Sequence, residues 1–212
     1  MRDRRAPEER RALLLEAAIA VVGVRGFDGA TVRDVAKQAN VSTGLLHHYF
    51  DSFQHLLAEA FAQEAELDKH RLSAAAASIP EPLPRLDKLV ALYAPRADDP
   101  GWLIWFSAWS AAPRQPKLRQ GAERIHREWS SQFEEVLGEG ARTGVFACAD
   151  PAGATRRLLS LMDGLATQVV AIRSLEASEV AHDIGIAVAN ETGLAPGDFP
   201  EVARIGTGPL PR

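Results

Sequence analysis

Apolar residues recur every three or four positions along most of the chain, which is the period of an α-helix with one buried face. Near the start, one such face is formed by Leu14, Ala17, Ala18, Val21 and Val22. No segment alternates apolar and polar residues over enough positions to predict a strand. The pattern therefore predicts an all-α protein of about nine helices.

Capping residues, glycine and proline set the predicted helix ends. The helices are expected at about residues 7–25, 31–39, 43–49, 53–77, 85–94, 101–112, 117–142, 151–173 and 178–192. Pro80, Pro82 and Pro84 predict a stiff linker before the fifth helix. Proline and glycine are frequent from Ala195 onward, so residues 195–212 are predicted to form a disordered tail.

Residues 31–50 have the features of a helix-turn-helix. Thr31 and Asp34 have the spacing of a capping box, and Asn40-Val41 predicts a tight break between two short helices. The residues expected to form the shared core of the two helices are Val35, Ala36, Val41, Leu46 and Phe50. A plain helical hairpin with a polar surface fits the same spacing, so the pattern alone leaves both interpretations open.

The second of these helices has a composition suited to DNA contact. It begins with small polar residues, which let backbone amides approach phosphates. These residues are Ser42, Thr43 and Gly44. It continues with side chains that offer donors, acceptors and flat apolar faces to a major groove. These side chains are His47, His48 and Tyr49.

The N-terminal domain of TetR-family transcriptional regulators has a threonine-led helix, a short turn and an ending rich in glycine and aromatic residues. This chain resembles it at Thr31 and at Ser42-Thr43-Gly44-Leu45-Leu46-His47-His48-Tyr49-Phe50, within about residues 10–60. The sequence of this stretch is most similar to the BetI-like subgroup. The segments Trp-Leu-Ile-Trp-Phe-Ser-Ala-Trp (102–109) and Met-Asp-Gly-Leu (162–165) also resemble that subgroup.

The resemblance implies a three-helix helix-turn-helix domain at residues 1–51, followed by a helical ligand-binding and dimerisation domain at residues 52–194. It further implies a homodimer that binds a palindromic operator in double-stranded DNA. Such a regulator represses transcription until a small-molecule inducer binds the C-terminal domain.

Carried over position by position, the resemblance implies DNA contacts from Thr31, Arg33, Ser42, Thr43, Gly44, His47, His48 and Tyr49. One position departs from the family. Where the family has a phosphate-gripping lysine this chain has Phe53, which cannot make that contact. His55 or the N-terminal arginines are the candidates to replace it. Leu46 and Phe50 are expected in the core.

Charge is distributed unevenly along a chain whose net charge is −4. Residues 1–50 hold eight basic and six acidic residues, whereas the remainder holds 16 basic and 22 acidic residues. A mildly basic head on an acidic body indicates that only the head meets a polyanion.

Aromatic residues dominate the middle of the C-terminal half. Four of them form an aromatic stripe at helical spacing: Trp102, Trp105, Phe106 and Trp109. Tyr93, Trp129 and Phe133 lie on neighbouring helices. Each residue alone is more simply explained as core, but all four tryptophans of the chain lie between 102 and 129. Together they predict a ligand pocket for an organic cation or a flat aromatic compound.

Two features of the last helices predict further contacts, one with a ligand or a neighbouring helix and one with a second copy of the chain. Asp163 interrupts an apolar helix and needs a partner, either a cationic ligand or a neighbouring helix. The apolar surfaces of the last two helices, with Ile184 and Val188 at helical spacing, predict a four-helix dimer interface.

Other function classes find little support in the sequence. Cys148 is the only cysteine, which excludes an internal disulfide and a thiol-based zinc site and suits the cytoplasm. No stretch reaches the ~20 apolar residues of a membrane span, and the apolar run 13–24 does not fit a signal peptide.

An enzyme and a protein-binding adaptor remain as alternatives. A helical metal-dependent enzyme would need a second copy of the Glu123-x-x-His126 motif, and the adjacent pair His47-His48 points in two directions on a helix. We find no nucleophile elbow and no phosphate-binding loop. No catalytic residue, metal site or cofactor is therefore predicted. An adaptor would be indifferent to DNA.

Overall fold

The structure is a computed structural model that describes residues 6–96 and 100–205. Across those ranges the chain forms nine α-helices and no β-strand, which confirms the all-α prediction. The helices are α1 (Pro7–Gly29), α2 (Val32–Gln38), α3 (Thr43–Tyr49), α4 (Phe53–Ser78), α5 (Pro82–Tyr93), α6 (Pro100–Ala111), α7 (Pro116–Arg142), α8 (Pro151–Ala166) and α9 (Ala177–Thr192).

The ends of α5 and α8 differ from the sequence prediction. Helix α5 begins at Pro82, because proline is tolerated in a first turn, so the predicted linker is shorter than expected. Helix α8 is continued by a π-helix, Thr167–Ile172, which ends at Arg173 in the left-handed conformation (φ 57°).

The chain divides into two compact units. The first runs to Asp68 and also includes Leu103–Ile125, and the second holds Lys69–Trp102 and the chain from His126 onward. Helices α4, α6 and α7 pass from one unit to the other. The predicted boundary after residue 51 falls inside the first unit, because the helices before it share their core with α4, α6 and α7.

The core of the first unit combines residues that are distant in sequence. Helices α1 to α4 contribute Leu14, Val22, Phe27, Val35, Leu46, Phe50, Leu57 and Phe61, and later segments contribute Ile104, Ala108, Ala111, Leu118 and Ala122. The rings of Phe27 and Phe61 meet edge to face at 5.7 Å. The helix-turn-helix therefore rests on α4, α6 and the first half of α7.

Helix α1 is interrupted at Gly26, which has a positive φ of 72°. The Phe27 amide donates instead to Ser107 Oγ at 2.6 Å. A Cβ on Gly26 would lie 2.9 Å from that oxygen, so only glycine fits here without displacing Ser107. The predicted helix end at Gly26 is thus a break, after which the helix continues to Gly29.

The core of the second unit is formed by α5, the second half of α7, α8 and α9. Its fully buried members include Leu86, Leu89, Phe133, Leu137, Leu158, Leu159, Ile184 and Val188. The expectation that Ile184 and Val188 form a dimer interface is wrong, because both are covered within this unit. In the described part of this unit the exposed large apolar side chains are instead Ile172 at 64%, Ile186 at 40% and Val145 at 38% exposure.

The predicted disordered tail is also wrong over residues 195–205. The chain there forms two 3₁₀ turns, Pro196–Asp198 and Val202–Arg204, and buries Phe199, Val202 and Ile205. Frequent proline and glycine indicated disorder, but three apolar side chains spaced by three residues anchor the segment. Residues 206–212 lie outside the described ranges.

None of the described helices combines the length and the apolarity needed to cross a bilayer.

Candidate DNA-binding and ligand-binding sites

The turn between α2 and α3 has the geometry of a helix-turn-helix. Asn40 adopts the left-handed conformation (φ 54°), which asparagine tolerates better than most residues. The Val41 amide donates to Ala36 O at 2.9 Å, across the end of α2. Leu46 and Phe50 are buried, which confirms their predicted place in the shared core.

The start of α2 is fixed by the predicted capping box. The Asp34 amide donates to Thr31 Oγ1 at 3.3 Å, and the Thr31 amide donates to Asp34 Oδ2 at 3.2 Å. The Thr31 hydroxyl also donates to Asp34 Oδ2 at 2.6 Å, and this bond is the main cause that lowers the pKa of Asp34 below its usual value. Arg25 Nη2 lies 3.4 Å from Asp34 Oδ1. The carboxylate thus ties the end of α1 to the start of α2.

The residues predicted to contact DNA lie on the surface of α2 and α3. Seven are exposed: Thr31, Arg33, Ser42, Thr43, Gly44, His47 and His48. Tyr49 is half-buried, and its ring meets that of His48 edge to face at 5.3 Å. The first unit therefore leaves the seven exposed residues outside its core, as an interface requires, whereas Tyr49 packs partly against that core.

Phe53 is half-buried and packs against the core of the first unit. Of the residues considered as its replacements, His55 and Arg11 are engaged within the same unit, whereas Arg2, Arg4 and Arg5 lie outside the described residues. His55 Nε2 lies 2.7 Å from Glu59 Oε1, and Arg11 pairs with Glu59 and lies 5.1 Å above the Phe50 ring. The Arg11–Glu59 pair was not readable from the sequence, because its two members are 48 residues apart.

The second unit contains an aromatic group built around Tyr93, at the end of α5. The Tyr93 ring meets Trp102 at 5.7 Å, Trp129 at 4.9 Å and Phe133 at 6.3 Å, in each case edge to face. We call these four residues the Tyr93 cluster. The three predicted ligand-binding residues that adjoin Tyr93 thus come together from α6 and α7.

A carboxylate completes the Tyr93 cluster. The Tyr93 hydroxyl donates to Asp163 Oδ1 at 2.6 Å. Burial raises the pKa of Asp163, although the Tyr93 hydrogen bond and the charge of His126 both act to lower it. Burial, and then the charge of Asp163, raise the pKa of Tyr93 well above 10, so the phenol stays protonated and keeps donating.

His126, which the sequence suggests only as half of a metal motif, is the one histidine whose charge acts to lower the pKa of Asp163. No group of three or more potential metal ligands occurs in the described part of the chain.

The rest of the aromatic stripe lies in the first unit. Trp105 meets the Phe61 ring at 4.9 Å and donates from Nε1 to Asp68 Oδ2 at 3.3 Å. Trp109, 36% exposed, contacts the rings of Trp105 and Phe106. We call Phe27, Phe61, Trp105, Phe106 and Trp109 the Phe61 cluster. The stripe predicted as one site is therefore divided between the two units.

Two family models match the chain. The model of bacterial regulatory proteins of the tetR family matches residues 14–60, and that of the BetI-type transcriptional repressor C-terminal domain matches residues 82–190.

Individual relatives agree with these matches. The HTH-type transcriptional regulator BetI of Paraburkholderia phymatum is 28% identical over 172 residues, which cover 74% of this chain and 80% of the relative. That of Burkholderia thailandensis is 30% identical over 147 residues, or 61% of this chain and 70% of the relative. A transcriptional regulator from Saccharomonospora viridis, solved in complex with choline, superposes with a TM-score of 0.77 at 26% identity, over 85% of this chain and 94% of that one.

Proposed function

Because the chain belongs to the TetR family of transcriptional regulators and carries a BetI-type C-terminal domain, we propose that it is a repressor released from its operator by a small organic cation. The family consists of regulators and not of enzymes. The repressor binds a palindromic operator as a homodimer. The observation that carries the choice of ligand is the Tyr93 cluster and its carboxylate.

The exposed residues of α2 and α3 read the operator. Arg33 neutralises a phosphate and the amides at the start of α3 donate hydrogen bonds to phosphate oxygens, whereas His47, His48 and Tyr49 reach base edges. This assignment is supported by the exposure of Arg33, His47 and His48, and by the buried Leu46 and Phe50, which fix the orientation of α3.

Two copies are needed because a palindrome presents its half-sites ~34–36 Å apart. The surface proposed to join them lies on α8, the π-helix and α9. Exposed Ile172 and Ile186 support this choice, since large apolar side chains left in water favour association.

The Tyr93 cluster suits a quaternary ammonium group. Aromatic faces attract a cation by ~0.5–2 kcal/mol each, and a carboxylate such as Asp163 adds a charge of the opposite sign. Trp102 and Trp129 each lie within ring contact of Tyr93, and Asp163 accepts from Tyr93. The choline complex of the Saccharomonospora viridis regulator, at 26% identity, supports the same class of ligand.

Release follows from preferential binding. A ligand that binds both conformations equally releases nothing, however tight it is. The cation must therefore bind more tightly to the conformation whose two recognition helices no longer match successive major grooves.

The experiment begins with selection of bound sequences from random duplex DNA. Release from the selected duplex is then titrated with choline, with tetramethylammonium and with 3,3-dimethylbutanol, the neutral isostere of choline. We expect release by the two cations and a response to the isostere that is weaker by ~2–30-fold, which is the share of one cation–π contact. Equal release by cation and isostere would indicate an apolar ligand, and failure to select any sequence would refute the repressor itself.

A further inference from the structure

Residues 195–205, here called the C-terminal strap, fold back onto the second unit. They lie beyond residue 190, where the matched C-terminal family region ends. Phe199, Val202 and Ile205 are buried, and the strap packs against α9 and α5. Pro196 lies over Gly185 of α9, where a Cβ on the glycine would be 3.7 Å from the proline Cβ.

The strap is held by a buried carboxylate of α5. Asp87, only 3% exposed, accepts from the Glu201 amide at 2.8 Å and from the Val202 amide at 3.0 Å. These amides open the second 3₁₀ turn of the strap. Because a buried carboxylate without partners is costly, α5 and the strap depend on each other.

The same helix carries the centre of the ligand site. Tyr93 follows Asp87 by six residues, which is ~9 Å along the helix axis. The position of α5 in the second unit therefore sets where the Tyr93 ring meets Trp129, and where its hydroxyl meets Asp163. Because α5 is a continuous helix, a displacement of its backbone at Asp87 also displaces Tyr93 and changes those contacts.

We propose that the strap and Asp87 position α5 for ligand recognition. Asp87 does not touch the ligand in this arrangement; it acts through Tyr93. The inference rests on the proposed function for its ligand arm only, because the order of α5 can be measured without any ligand.

The test compares two variants of the full chain, Asp87→Asn and Val202→Ala. Asparagine keeps one acceptor oxygen but turns an NH₂ group toward a backbone amide, and alanine removes apolar contact from the strap side. Lys88→Ala is the matched control, because Lys88 lies next to Asp87 and pairs with Glu201 only at 3.8 Å.

Hydrogen exchange without ligand is the first readout. In Asp87→Asn and Val202→Ala, the amides of α5 and of residues 199–205 should exchange ~10-fold faster or more, whereas the exchange of amides in α1 to α3 should not change. In the Lys88→Ala control, exchange should match the wild type in all of these segments. Unchanged exchange in α5 would overturn the proposal.

Binding of choline and of the selected operator is the second readout. We expect choline affinity to fall by ~10-fold while operator affinity stays within ~2-fold of the wild type. A merely structural role would lower both affinities and the melting temperature together, which would also overturn it. If wild-type protein ignores choline, the proposed ligand class fails, and the strap is judged by the exchange of α5 alone.

Discussion

The Phe61 cluster of the first unit and the Tyr93 cluster of the second have the same ingredients. Each sets aromatic rings edge to face, and each has a ring donor on a carboxylate, Trp105 Nε1 to Asp68 at 3.3 Å and the Tyr93 hydroxyl to Asp163 at 2.6 Å. Their surroundings differ. The Phe61 cluster is continuous with the core under the helix-turn-helix, whereas the Tyr93 cluster donates, through the Tyr93 hydroxyl, to a carboxylate whose pKa is raised by burial.

The difference shows that helical spacing predicts which residues share one face of a helix, whereas the residues that they contact determine what each one does. Trp102 and Trp105 are neighbours on one side of α6, yet Trp102 contacts Tyr93 in the second unit and Trp105 contacts Phe61 in the first. We therefore expect substitutions in the two clusters to separate stability and operator binding from ligand response.

The largest effect is expected from Phe61→Ala in the first unit. The side chain is fully buried, and its loss should lower the free energy of unfolding by ~3–5 kcal/mol. Urea denaturation followed by circular dichroism measures this loss, and operator affinity should fall with it. The control is Leu67→Ala on the same helix, an exposed position where little should change. A normal free energy of unfolding in Phe61→Ala would show that the Phe61 cluster does not contribute to the core.

Tyr93→Phe should have the next largest effect. It removes the hydrogen bond to Asp163 but keeps the ring, so it should lower the free energy of unfolding by ~1.5–3 kcal/mol, the range for bonds to charged groups. A double-mutant cycle with Asp163→Asn measures the coupling. A coupling near zero would mean that the phenol and the carboxylate do not act together.

Trp129→Leu should change ligand affinity rather than stability. Leucine keeps an apolar side chain but has no aromatic face, so choline should bind ~2–30-fold more weakly while operator affinity stays normal. Trp109→Leu in the Phe61 cluster is the matched control and should leave choline affinity unchanged. Calorimetry measures choline affinity in both variants. Equal losses of choline affinity from the two substitutions would show that the aromatic stripe forms one ligand site after all.

The smallest effect expected is a pH dependence at Asp163. Its pKa is raised above 3.8 by burial, so cation binding should weaken as pH falls through that raised pKa and the carboxylate takes up a proton. Folding has the opposite sign: the cost of ionising Asp163 is complete above the raised pKa and is absent below about 3.8. Choline titrations across pH should show this loss in the wild type and none in Asp163→Asn.

The local features of the fold were readable from the sequence. The capping box at Thr31 and Asp34, the break at Asn40 and the buried Leu46 and Phe50 depend on neighbours within about one helical turn or one loop. Such contacts follow from spacing alone.

Features that depend on distant partners were not readable. The periodicity of Ile184 and Val188 showed that they are buried but not by which surface, and the structure covers them within their own unit. Residues 195–205 lacked the composition of a stable element, yet they fold because Asp87, 114 residues earlier, accepts from Glu201. The partner of Asp163 and the division of the stripe were hidden for the same reason.

The break at Gly26 limits how this regulator can exchange parts with its relatives. The Phe27 amide donates to the hydroxyl of Ser107 in α6, 80 residues downstream. Asp28 pairs at 2.5 Å with Arg114, which follows the end of α6. A hybrid that grafts residues 1–60 onto a foreign sensor would lose Ser107 and leave that amide without its acceptor. Recombination, natural or designed, should therefore succeed only when α1 and α6 are inherited together.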